Sequence, residues 1–152
     1  METYLGKAGI LITAESIIAG FMIAYATLVS QVKVVVEIEE ANIKPVQIFG
    51  KFFSSALSLY FIHERKNNAP IPMADSVLFV QILNTSKLKR DRTSKANQWE
   101  NIERSIQGVI PIKGSKFDQY RLLFGDSRDF AANGTAKGLL IDCLQSFLMN
   151  AK

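Results

Sequence analysis

The chain has 152 residues, with 18 Lys and Arg against 14 Asp and Glu and a formal net charge of +4. Its single cysteine, Cys143, excludes an internal disulfide and a cysteine-rich metal site. Its single histidine, His63, excludes multi-histidine metal centres and argues against a Ser-His-Asp triad. The length suits one domain, or a small membrane bundle with an appendage.

The first element is the apolar run from Ala8 to Ser30, whose one formal charge is Glu15. At about 1.5 Å per residue a helix of roughly 20 apolar residues crosses a hydrocarbon core, and this run is long enough and free of proline. On a helical wheel Glu15, Ser16, Gly20 and Ala24 share one half, and large apolar side chains such as Phe21, Met22 and Leu28 occupy the other. The four-residue step Ser16, Gly20, Ala24 is the small-residue spacing that lets membrane helices approach closely. Ala24-Tyr25-Ala26 resembles a signal-peptide cleavage site, but Lys7 alone makes a poor n-region and Glu15 would sit in the h-region.

The following QVKVVVEIEEANIKP admits two readings. Lys33 with Glu37 and Glu40 with Lys44 are i, i+4 pairs that would extend a helix, whereas the valine-rich alternation suits a strand. Pro45 then opens a second predicted span, 46–62, in which Gly50, Ser54 and Ser58 repeat the small-residue step and Phe49, Phe52, Phe53, Leu57, Leu59 and Tyr60 face the other way. Lys51 lies on the small half, near enough to the end to snorkel to the interface. Two matching small faces predict a helical hairpin.

His63 to Lys66 form a charged stop, and Pro72 opens a third apolar segment, read as a span over 71–86 although it contains Asp75, Gln81 and Asn84. The densest basic run follows, with Lys87, Lys89, Arg90, Arg92 and Lys95, a lipid head-group contact or a topology anchor on the cytoplasmic side. Trp99, Ile102 and Ile106 recur at helical spacing up to Gly108. Ser115 and Asp118 resemble a capping box for a helix FDQYRLLF ending at Gly125. A last amphipathic helix is predicted over 135–150, within a basic cytoplasmic region 87–152 that follows the membrane region 1–86.

These expectations add up to an all-α integral membrane protein with two to four membrane helices, located in the plasma membrane of a prokaryote. The function they imply is a non-enzymatic assembling or accessory subunit of a membrane complex, with the bilayer, further membrane subunits or copies of itself as partners. An ion or proton conduit through intramembrane Glu15, helped by Asp75, is the alternative, because an ionisable group in hydrocarbon is costly unless it is used. A membrane-bound enzyme is the third reading. No cofactor, metal or nucleic-acid partner is implied. Lys113-Gly114-Ser115 has the wrong order for a phosphate loop, His63-Glu64 lacks the second histidine of a zinc helix, and no nucleophile elbow occurs.

Overall fold

Two stretches rich in β-branched residues, VKVVVEI and SVLFVQIL, lie side by side as parallel strands, and the rest of the molecule is arranged on them. The computed structural model describes residues 9–12, 31–40, 42, 44–62, 70–88, 93–131 and 133–150. The elements are β1 (Gly9–Ile12), β2 (Val32–Glu40), α1 (Pro45–Ala56), β3 (Tyr60–Ile62), β4 (Pro70–Asn84), α2 (Thr93–Gln107), β5 (Phe117–Gly125) and α3 (Thr135–Asn150). Strands β2, β4 and β5 form a three-stranded parallel sheet with β4 in the centre. Strand β1 pairs antiparallel with β2, and β3 pairs antiparallel with the first residues of β4.

Both parallel connections step in the same direction across the sheet. Right-handed crossovers then place their helices on one face. That face holds Phe79, Leu83 and Tyr120 under Ile48 and Phe52 of α1 and Trp99, Ile102 and Ile106 of α2. Helix α3 covers the opposite face, where Phe147 meets Val34, Val36, Leu78, Val80 and Leu123. Residues Val77 to Leu83 are therefore buried without interruption, including the odd-numbered and the even-numbered side chains.

This architecture corrects the expected all-α membrane bundle. The segment at 71–86 is a strand, because a central parallel strand covered on both faces is continuously apolar and cannot be told from a buried helix by periodicity. The segment at 46–62 does begin as a helix at Pro45, but it ends at Ala56 and re-forms as β3. Its 12 residues rise about 18 Å, well short of a hydrocarbon core of about 30 Å. Of the segment at 8–30, Gly9–Ile12 is strand β1, and 13–30 lies outside the described residues. Among the described residues no helix is long and apolar enough to cross a membrane. A membrane address, a membrane-complex subunit, a Glu15 conduit and a membrane-bound enzyme all lose their basis with it.

The region FDQYRLLF is likewise a strand. Ser115 and Asp118, which suggested a helix cap, serve the strand entry: the Ser115 hydroxyl oxygen accepts the Phe117 amide at 3.0 Å, and Asp118 accepts the Ser76 hydroxyl at 3.0 Å. The QVKVVVEIEE stretch resolves as strand, so Glu37 has no i, i+4 partner in Lys33 and finds one on α1 instead.

Candidate functional site

Helix α1 is the element on which the unusual features of the described chain converge. Its inward face fills the core. Ile48 and Phe52 are 1% and 0% exposed, and Ser55 and Ala56 are buried beside them. The Phe52 ring packs edge-on against Phe79 at 5.7 Å and Tyr120 at 5.1 Å between centroids. Phe79 in turn stacks on Tyr120 at 6.1 Å and meets Phe117 edge-on at 5.7 Å.

A partly buried polar cluster lies beside these rings. The Lys51 ammonium donates to Glu37 Oε1 at 3.1 Å and also to Glu39 Oε1, two carboxylates that the strand period places on the same face of β2. Glu37 is in register with Gln81 of β4, and the Tyr120 hydroxyl donates to Gln81 Oε1 at 2.8 Å. Two complementary atoms, Glu37 Oε2 and Gln81 Nε2, are buried there without a hydrogen-bond partner among the described residues.

Burial and the Lys51 ion pair set the electrostatics of this cluster. Burial pushes the Glu37 carboxyl above its ordinary range, with Lys51 only partly offsetting it. Burial also pulls on Lys51, but its bonds to Glu39 and Glu37 prevail and hold it as an ammonium. Burial, reinforced by the charges of Glu103 and Glu37, keeps the Tyr120 phenol protonated. On the opposite face burial also raises the Cys143 thiol, which makes it a poor nucleophile. Among the described residues no three His, Cys, Asp or Glu side chains group to hold a metal ion.

The outward face of α1 is different in kind. Val46, Phe53 and Leu57, the last at the helix cap, are 69%, 41% and 70% exposed. With Gly50 they follow the steps four, three and four, which at 3.6 residues per turn confines them to a stripe about 60° wide. The stripe points directly away from the buried Ile48 and Ser55. The chain leaving the helix adds two more exposed apolar residues, Leu59 and Tyr60.

The residues singled out in the sequence disperse. Gly50 and Ser54 lie exposed on the outer side of α1, and Ser58 follows the cap, donating its hydroxyl to the Ser54 carbonyl at 3.3 Å. Lys51, expected to snorkel, is tied to β2. Asp75 is exposed at the surface, bonded to Lys116 at 2.7 Å, which holds its carboxyl below the usual range. Lys87 is exposed in the turn after β4, and Lys95 lies on α2 within 3.4 Å of Gln98. Glu15, Ser16, Gly20, Ala24, Lys89, Arg90 and Arg92 fall outside the described residues. Glu37, Glu39, Gln81 and Tyr120 were not anticipated as a group. The available signal was polar residues interrupting apolar runs, with Glu37 and Glu39 two apart in the valine-rich stretch.

No protein-family model matches this chain, and no curated protein or solved structure is similar enough to count as a match.

Proposed function

We propose that this chain is a protein-docking module and that the outward stripe of α1 receives an apolar, uncharged protein surface. One observation carries the reading: the apolar arc of α1 extends past the part that the sheet covers, leaving Val46, Phe53 and Leu57 exposed beside buried Ile48, Phe52 and Ala56. A surface helix normally opposes its apolar stripe with charged or polar side chains. Here every exposed residue within α1, namely Val46, Gln47, Gly50, Phe53 and Ser54, is uncharged. Contiguous apolar patches rimmed by polar groups are the usual mark of an interaction site. The polar cluster on the inner side supports the helix by tying Lys51 to β2, which sets the angle at which the stripe is presented.

The test is binding of an apolar fluorescent dye at protein concentrations too low for association. The wild-type chain is expected to enhance dye emission, and the double variant Phe53→Lys, Leu57→Lys to lose most of that enhancement with unchanged near-ultraviolet circular dichroism. Equal emission from both proteins would show that the stripe is not an open face.

A further inference from the structure

We infer that the outer edge of β5 is a strand-pairing surface held closed by Glu103 and Gln107 of α2, which occupy its backbone groups in place of another strand. The inference is independent of the docking reading, since α1 takes no part in it. Among the described residues no strand pairs with the side of β5 that faces away from β4. The Gly125 carbonyl accepts the Thr85 amide of the β4 end at 2.9 Å, so by alternation Tyr120, Leu122 and Phe124 turn their backbone groups to the open side.

A ridge of α2 runs along that side. Trp99, Glu103 and Gln107 are spaced four apart, a rise of about 6 Å per step. Phe124, Leu122 and Tyr120 are spaced two apart, about 6.6 Å per step, and the helix meets them in reverse order. The Trp99 and Phe124 rings lie 4.8 Å apart between centroids. Glu103 Oε1 accepts the Leu122 amide at 2.9 Å, and Gln107 Nε2 donates to the Tyr120 carbonyl at 3.2 Å. Each side chain therefore supplies the chemistry its backbone group lacks, an acceptor for the N–H and a donor for the C=O. A neighbouring strand would offer the same two groups.

The composition of β5 explains why such a guard is needed. Exposed edges are templates for further strands, and chains blunt them with lysine, proline, short length or a bulge. The opposite edge strand, β1, has only four residues. Strand β5 has nine, FDQYRLLFG, without Lys or Pro, and its register shift lies before the guarded stretch. Its two charges, Asp118 and Arg121, have opposite signs, and Arg121 Nη1 is held 3.5 Å from Glu103 Oε1. The segment from Tyr120 to Phe124 is the apolar, low-charge type that adds strands when its edge is free.

Light scattering of the full chain carrying Glu103→Ala and Gln107→Ala tests this, because alanine keeps the helix and removes both bonds. The mass of the double variant is expected to climb with concentration from 16.9 kDa toward about twice that value or beyond, above the wild type at every matched concentration. Amide exchange of Tyr120 and Phe124 should slow as it does so. Glu103→Gln keeps an accepting oxygen for Leu122 but gives up the charge, and should behave as the wild type. Near-ultraviolet circular dichroism checks the fold. If the double variant fails to fold, Glu103→Ala alone should speed exchange of the Leu122 amide about tenfold, and an unchanged rate would overturn the inference. A folded double variant with the mass of the wild type would overturn it too. So would association that leaves the Tyr120 and Phe124 amides exchanging as before, or a Glu103→Gln chain that associates as the alanine variant does.

Discussion

The apolar residues of α1 meet opposite fates. Ile48, Phe52 and Ala56 disappear under the sheet, whereas Val46, Phe53 and Leu57 stand in the open. Adjacent residues Phe52 and Phe53, with ring centroids 5.4 Å apart, are divided between these two worlds. The difference teaches that burial within one chain does not exhaust the apolar surface of this helix. What the inner side contributes to folding, the outer side holds in reserve for association.

The contrast can be broken most strongly at its inner side. Phe52→Ala removes the ring that joins α1 to Phe79 and Tyr120 and should cost about 3–5 kcal/mol, lowering the thermal midpoint by roughly 10 °C. Lys51→Met should come next. It strands Glu37 and Glu39 without their shared cation, and because the ammonium is partly solvated a loss of about 1–2 kcal/mol is expected by denaturant unfolding at pH 7.

Glu37→Gln sharpens the picture through pH. The folded-state pKa of Glu37 lies above its model-peptide value of 4.5. Its contribution to stability is therefore fully present below that value and is lost as pH rises through the folded pKa. The variant should match or exceed the wild type by up to about 1 kcal/mol at pH 7, and the gap should close as the wild type is brought toward pH 4.5. A gap that widens on acidification would mean that the ion pair with Lys51 outweighs the cost of burial.

On the outer side the effects on folding should be small. Gly50→Ala relieves the helix of a flexible residue and should raise stability by about 0.5–1 kcal/mol. Phe53→Ala should change monomer stability by no more than about 0.5 kcal/mol, in contrast to its neighbour Phe52. Measuring both by thermal melting and by dye binding separates the two roles, since stability and binding move independently only if the faces do different work.

Parts of this arrangement were legible in the chain. Pro45 as a helix start, the Trp99, Ile102, Ile106 periodicity ending near Gly108 and the helix over 135–150 all rest on local signals, and local signals suffice for helices that show one face to solvent. The central strand was not legible. Val77 to Leu83 reads as a greasy rod in either conformation, and what makes it a strand is pairing with Val34–Glu40 and with Gln119–Gly125, partners about 40 residues away on either side. The polar cluster was hidden for the same reason. Glu37, Gln81 and Tyr120 are brought together only by the register of three strands, and Lys51 joins them only because α1 crosses over that face. Gly50 and Ser54 were noticed for their spacing, and they do lie on one side of a helix. The side they mark faces outward, away from the sheet that the rest of α1 covers.

The most direct test is binding of an apolar fluorescent dye at protein concentrations too low for association. The double variant Phe53→Lys, Leu57→Lys should lose most of the emission that the wild-type chain gives, whereas Gln145→Lys on the exposed side of α3 should keep it. Equal emission from all three proteins would contradict the claim that the outward face of α1 is an open docking surface.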